Sequence, residues 1–277
     1  MVSLFKKNKS GCNYTETTFE CKRDQLTIRG TEYRPEGENL PIAIVSHGFM
    51  ANQDTVKHYA KLFAELGYVS YCFDFNGGCV VKGKSDGKTT EMSVLTEVMD
   101  LEAVIEYAKS RSYTNSEKIV LAGGSQGGFV SALTAAKHPE EIEKLVLIFP
   151  ALCIPDDARA GKMMFAKFNP ENIPEIVNCG PMKLGRCYVE DVIRMDPYEE
   201  IKAYPGEVLL IHGTADDLVH WEYSKKAYET YQGYNPAGLV SEKRAVLRLI
   251  EGGGHGFSKK HDAIAMEEMR KFIAKGI

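Results

Sequence analysis

Lys118-Ile119-Val120-Leu121-Ala122-Gly123-Gly124-Ser125-Gln126-Gly127-Gly128-Phe129-Val130, continued by Ser131 to Ala135, decides how the rest of the chain is read. A β-branched and aliphatic run meets a glycine cluster, and an Ala- and Leu-rich helical pattern follows. This is strand, sharp turn, helix. At its centre, Gly123-x-Ser125-x-Gly127 is the pattern of a nucleophile elbow. An elbow holds its nucleophile in a strained backbone conformation and packs helix closely on strand. Side chains at the flanking positions would clash, so glycine is needed there. Ser125 then projects its hydroxyl above the sheet, and Gln126 offers a main-chain N–H at a helix N-terminus, where negative charge is favoured. The plain alternative is a tight β–α turn with an innocent serine.

Outward from this stretch, strands alternate with helices. Pro41 to Val45 is a buried-strand run ending in Ser46-His47-Gly48-Phe49-Met50. Helical periodicity at Val56, Tyr59, Ala60, Phe63 and Leu66 stops at Gly67, a C-cap residue. Tyr68 to Phe73 is the next strand, followed by a Gly- and Lys-rich loop to Thr90 and an amphipathic helix over about 92–110. Leu145 to Phe149, Val208 to His212 and Val246 to Ile250 are further strands, with helices near 220–232 and from about 259 to 275. Residues 14–33 predict two antiparallel strands with Asp24 at the turn, and 1–12 read as a mobile start. Such alternation predicts an α/β fold with a mostly parallel central sheet covered by helices on both faces.

Residues 150–200 break the alternation. They hold Pro150, Pro155, Pro170, Pro174, Pro181 and Pro197 and are too long for a simple connection, which points to a functional segment. The expected organisation is a core of residues 1–149 and 201–277 with an insertion at 150–200.

Composition narrows the function. The 277 residues are 44% hydrophobic and 26% charged, as in ordinary soluble globular proteins. A net charge of −4 and no basic cluster interleaved with aromatics argue against nucleic-acid binding. No apolar run reaches the roughly 18 residues of a membrane helix, and Met1 to Ser10 lacks the apolar segment of a secretory signal. The seven cysteines are scattered without zinc-like spacing. These features predict a cytoplasmic protein with no membrane partner and no metal.

A serine hydroxyl needs a base, and the base needs an orienting acid. After an elbow the chain order is serine, acid, histidine. His212-Gly213-Thr214-Ala215-Asp216-Asp217 follows one late strand, and Gly252-Gly253-Gly254-His255-Gly256-Phe257 follows the next. Loops of this kind gather at the carboxyl edge of a parallel sheet. Asp216 is the expected acid, with Asp217 the competitor, and His255 the expected base. The oxyanion donors are the N–H groups of Gln126 and of Phe49, after Gly48. His47 precedes the elbow and reads as structural. His58, His138, His212, His220 and His261 receive no role.

These stretches resemble the α/β-hydrolases, and among them the bacterial cinnamoyl/feruloyl esterases. The resemblance runs over about 40–260 through His47-Gly48-Phe49, Phe73-Asp74-Phe75-Asn76-Gly77, Ser85-Asp86-Gly87-Lys88, Gly123 to Gly128, Asn169-Pro170-Glu171-Asn172-Ile173-Pro174, His212-Gly213-Thr214 with Asp216, and His255-Gly256-Phe257. It implies the triad Ser125, Asp216 and His255, oxyanion donors Phe49 and Gln126, and a lid at 150–200. It also implies that Asp157 and Tyr188 bind the phenolic hydroxyl of a hydroxycinnamoyl ester, with no cofactor. Two departures bear on specificity. The loop Gly78 to Gly87 is longer and lacks the family's histidine, so a different leaving-group pocket is expected. Met163 and Met164 stand where more polar residues are usual, which favours less hydroxylated or aliphatic acids. The competing activities are a serine peptidase or acyl-peptide hydrolase, which usually carries a large extra domain, and a thioesterase. A binding protein on the same scaffold is the non-enzymatic alternative. A homodimer stays open.

Overall fold

A computed structural model of the chain describes residues 6–7, 13–81, 83–233 and 244–275. The expected mobile start at 1–12 otherwise lies outside the described residues. Among the described residues the central sheet has nine strands, in the order β1-β2-β3-β5-β4-β6-β7-β12-β13. These are β1 (Lys6–Lys7), β2 (Asn13–Arg23), β3 (Leu26–Pro35), β4 (Leu40–Ser46), β5 (Val69–Asp74), β6 (Thr114–Gly124), β7 (Ile142–Ile148), β12 (Glu207–Gly213) and β13 (Ala245–Ile250). From β5 through β13 all neighbours are parallel, while β1, β2 and β3 are joined antiparallel at one edge. Asp24 takes the positive φ of 53° that the β2–β3 turn demands.

The parallel strands are apolar runs because both their faces are covered. Ile42 and Ile44 of β4 point to one core, and Ala43 and Val45 to the other. The second core is closed by α1 (Lys57–Glu65) and α8 (Lys259–Lys275), the first by α2 (Val94–Lys109), α3 (Gln126–Lys137) and α7 (Glu222–Gly233). Ser93 caps α2 in a capping box with Thr96.

Strand β4 lies between β5 and β6, so the chain leaves it in one direction and returns on its other side. That reversal opens a crevice at the carboxyl ends of β4 and β6, where α/β sheets bind ligands. Strand β7 stops at Ile148, one residue short of the predicted end, because Phe149 turns to φ 38° and donates its N–H to Ile211 O at 2.7 Å. Between β7 and β12 the chain adds nothing to the central sheet. It forms α4 (Ile154–Arg159), the hairpin β8 (Lys162–Met163) with β9 (Ala166–Lys167), the hairpin β10 (Ile176–Asn178) with β11 (Lys183–Gly185), then α5 (Arg186–Val192) and α6 (Pro197–Ile201). Among the described residues no helix is long and apolar enough to cross a membrane.

Candidate active site

Ser125 sits between β6 and α3 at φ 54°, ψ −122°. Its strain is held from several sides: its N–H donates to Ile148 O at 2.9 Å, and its carbonyl accepts from Phe129 N at 3.1 Å and Ala151 N at 2.9 Å. The close approach explains the glycines. A Cβ at Gly123 would lie 2.2 Å from Gly127 O, and one at Gly127 would lie 2.3 Å from His47 O.

His255, in the loop after β13, spans the gap between the serine and the acid. Its Nε2 is 3.0 Å from Ser125 Oγ and its Nδ1 is 2.8 Å from Asp216 Oδ2. Asp216 is buried, and its Oδ1 accepts from Leu218 N at 3.0 Å and Val219 N at 2.9 Å. Burial by itself would raise the Asp216 carboxyl. Hydrogen bonds from His212, His255 and the Val219 N–H outweigh it and hold the group below the usual carboxylate range. Asp217 is exposed, so of the two adjacent acids only Asp216 reaches the imidazole.

His212, given no role above, is wholly buried behind the acid. Its Nε2 lies 2.8 Å from Val219 O and 3.2 Å from Asp216 Oδ2, and its Nδ1 is 2.7 Å from Ser224 Oγ. One tautomer satisfies all three: Nε2–H donates to both oxygens and Nδ1 accepts from the Ser224 hydroxyl. His212 thus braces both the carboxylate and the backbone that positions it. The only sequence signal for this was its place at the end of an apolar strand, four residues before Asp216.

Phe49 and Gln126 flank Ser125 in a cavity of about 480 Å³ that also exposes His255. Gly48, which precedes Phe49, approaches Ser125 so closely that a Cβ there would lie 3.0 Å from the serine Cβ. The cavity is walled from both faces of the sheet. Tyr59 belongs to the core under α1 and α8, whereas Cys153, Ile154, Met163 and Tyr188 of the insertion belong to the opposite one. Beside His255 the wall continues through Gly256, Phe257, Lys259 and Asp262. Asp262 Oδ1 accepts from Tyr59 O–H at 2.5 Å and lies 3.2 Å from His58 Nε2.

Asp157 and Tyr188 both line the insertion side, but in different circumstances. Asp157 is half-buried, with Lys162 Nζ 3.7 Å from its Oδ1. Burial pushes its carboxyl upward, against the pull of that ammonium. Tyr188 is fully buried and its hydroxyl already donates to Gln126 Oε1, so the expected hydroxyl for substrate is engaged inside the protein. Met163 and Met164 border the cavity as expected.

The 78–87 loop lies beside the Phe49 segment and not in the cavity wall. Cys79 bridges Met50, and Val81 O accepts from Asn52 Nδ2 at 3.0 Å. Asp86 pins it to β3 by accepting from Thr27 N at 2.9 Å and Arg29 at 2.7 Å. The cavity wall beside His255 is built by residues of α1 and α8 rather than by this loop.

His47 is buried, and burial holds its imidazole below the ordinary value, with the bond to Gly48 O opposing. Its Nδ1 lies 2.8 Å from Gly48 O, and its Nε2 accepts from Phe75 N at 3.2 Å. The side-chain atoms of His47, Asp74 and Cys79 come within 4.8 Å of one another, the geometry of a metal-ligand group. The Asp74 oxygens, however, accept from Gln53 N at 2.8 Å and Lys84 N at 2.9 Å. With the Phe75 bond to His47, two of the three residues already serve the backbone.

Known proteins bear out the fold. Est1E from Butyrivibrio proteoclasticus, solved with ferulic acid bound, superposes with a TM-score of 0.81 at 28% identity, covering 93% of this chain and all of that one. The Escherichia coli O157:H7 protein YfhR is 25% identical over 246 residues, 88% of this chain and 73% of its own. Monoacylglycerol lipase abhd6-B of Xenopus laevis is 27% identical over 195 residues, 69% of this chain and 53% of that protein. Residues 37–183 match the family model described as serine aminopeptidase, S33. With the fold, the strained serine and this match together, the chain belongs to the serine aminopeptidase S33 family of the α/β-hydrolases.

Proposed function

We propose that the protein is a serine carboxylesterase acting on small esters, foremost those of hydroxycinnamic acids, through an acyl-enzyme. The observation that carries this is His255 bridging Ser125 Oγ at 3.0 Å and Asp216 Oδ2 at 2.8 Å at the edge of a cavity. His255 takes the serine proton as the hydroxyl attacks the ester carbonyl. Asp216 keeps the imidazole proton on Nδ1 and stabilises the imidazolium. The N–H groups of Phe49 and Gln126 receive the oxyanion, each lowering the barrier by about 3 kcal/mol. His255 then protonates the leaving alcohol, and water repeats the sequence on the acyl-enzyme.

Because His255 must reach the leaving oxygen, the alcohol lies on its side of the cavity, against Lys259, Asp262, Tyr59 and His58. The acyl group then extends toward the insertion, and residues 150–200 act as its lid. The similarity to Est1E with ferulic acid bound supports an aromatic acyl group, with Asp157 meeting its phenolic hydroxyl. Met163 and Met164 widen the choice toward acids with fewer hydroxyls. The cysteines described are free thiols, in keeping with the proposed cytoplasmic location.

A hydrolysis panel tests the reading. It pairs methyl ferulate, caffeate, p-coumarate and cinnamate with p-nitrophenyl acetate, butyrate and octanoate. Fast hydroxycinnamate turnover, reduced in Asp157→Ala, is the expected result. Turnover confined to short p-nitrophenyl esters would reduce the assignment to a general carboxylesterase. Cleavage of amides in preference to esters would replace it with a peptidase, the activity in the family's description.

A further inference from the structure

The side chain of Gln126 is tied down at both ends of its amide. Its Nε2 donates to Glu97 Oε2 at 2.7 Å, and its Oε1 accepts the Tyr188 hydroxyl proton. All three residues are essentially inaccessible, at 1% exposure each. They come from three helices: Glu97 from the first turn of α2, Gln126 from the first residue of α3, and Tyr188 from α5 of the insertion. The insertion is further fastened to the start of α2, where Ser93 Oγ donates to Asp191 Oδ2 at 2.5 Å and Thr89 Oγ1 to Lys183 O at 2.6 Å.

Packing alone does not call for this arrangement. A buried carboxyl is costly, and an apolar residue of similar size is often as stable or more so. Gln126 is also the residue whose main-chain N–H faces the developing oxyanion under the hydrolase reading. A donor in that position is effective only if it is already aimed when charge develops.

We propose that Glu97 and Tyr188 are positioning residues that clamp Gln126 and so fix the oxyanion donor, and that the Tyr188 hydroxyl serves this clamp rather than a substrate phenol. The proposal rests on the hydrolase assignment for Ser125. Burial pushes the Glu97 carboxyl well above the usual range, with the Gln126 bond opposing and Asp100 adding to the rise. That direction disfavours a negative charge beside the oxyanion, while Glu97 Oε2 still accepts from the Gln126 amide. Burial likewise keeps the Tyr188 phenol protonated, as a donor to Gln126 must be.

The test uses the full chain and the variants Glu97→Leu, Glu97→Gln and Tyr188→Phe. Each is assayed on p-nitrophenyl acetate, whose acyl group has no phenol, and on methyl ferulate. Each is also titrated with an aryl trifluoromethyl ketone, which forms an oxyanion on the serine. Misaiming a donor without deleting it should lower kcat by roughly 10–100-fold. Glu97→Leu and Tyr188→Phe should show this loss on both esters, with KM within about twofold. Trifluoromethyl ketone affinity should fall by the same factor, which a merely less stable protein would not show. Glu97→Gln keeps an acceptor for Gln126 and should restore most of the loss seen in Glu97→Leu.

The clamp is overturned if Tyr188→Phe raises KM for ferulate alone and leaves acetate turnover and ketone affinity unchanged. It is also overturned if Glu97→Leu folds and matches the parent on all three measures. A parent protein that neither hydrolyses these esters nor reacts with a fluorophosphonate would instead remove the hydrolase reading beneath it.

Discussion

Replacing Asp216 by asparagine changes one atom, and the structure dictates how the new amide must sit. Asp216 Oδ1 accepts two main-chain N–H groups, from Leu218 and Val219. An amide nitrogen cannot accept there, so the asparagine oxygen must take the Oδ1 position. Its NH₂ then occupies the Oδ2 position, facing His255 Nδ1 at 2.8 Å and His212 Nε2 at 3.2 Å. His255 can meet a donor only by accepting at Nδ1, which moves its proton to Nε2, opposite Ser125 Oγ. In that tautomer it cannot take the serine proton. The same exchange in a Ser-His-Asp protease costs about ten-thousandfold in kcat, or about 5 kcal/mol of barrier at 1.36 kcal/mol per decade. The NH₂ also confronts the His212 N–H, adding a buried donor–donor conflict of about 1–3 kcal/mol to stability.

The assay is steady-state hydrolysis of p-nitrophenyl acetate at pH 7, with thermal melts to show that the variant is folded. Asp216→Asn should fall by about four decades, and the exposed Asp217→Asn should stay within about twofold of the parent. Retention of a tenth of the activity in Asp216→Asn would refute the tautomer argument, and the reverse pattern would transfer the role to Asp217.

Ser125→Ala should still bind ester while losing turnover by several decades, read as an intact Kd for a hydrolysis product against a vanishing kcat. His212→Leu removes the brace behind Asp216 and should lower kcat by roughly 10-fold or more without weakening substrate binding; an unchanged kcat would make His212 a packing residue only. Since the folded state holds the Asp216 carboxyl below its usual value, its ionised form stabilises the fold above the ordinary carboxylate range, near pH 4, and that stabilisation disappears as pH falls through the folded value. The stability gap between parent and Asp216→Asn in denaturant melts should therefore be widest at neutral pH and shrink on acidification; a gap that grew would refute this sign. Gly127→Ala would put a Cβ 2.3 Å from His47 O and 2.5 Å from Ser46 O, both backbone. Overpacking of this kind costs roughly 1–3 kcal/mol or more, so the melting temperature should drop by several degrees.

The parts of this site that could be read in the sequence are those whose chemistry leaves a local mark. Gly123, Ser125 and Gly127 do so because an elbow tolerates nothing else. Asp216 and His255 do so because each follows a predicted strand, Asp216 in a polar loop and His255 in a glycine-rich one. His212 left no such mark: its importance comes from a 3.2 Å approach to Asp216 that a β-strand end does not announce. Glu97 reads as one more charge on an amphipathic helix until Gln126 and Tyr188 are seen to converge on it. The 78–87 loop does run beside the Phe49 segment, but bonds from Thr27 and Arg29 of β3 and from Asn52 hold it outside the cavity wall, which its sequence does not announce. Positions that depend on chain segments meeting across the fold are not encoded in any local pattern.

The separation of the three residues along the chain carries a consequence for biogenesis. His255 lies 130 positions after Ser125 and 39 after Asp216, and it is held by the edge strand β13, the last of the sheet. During synthesis at roughly 5–20 residues per second, the elbow can form well before its base has emerged from the ribosome. Under the proposed mechanism, a nascent chain is inert toward esters until β13 docks. In refolding, return of hydrolysis would time that docking, and helix content recovered earlier would mark a state assembled up to β12 and still inert.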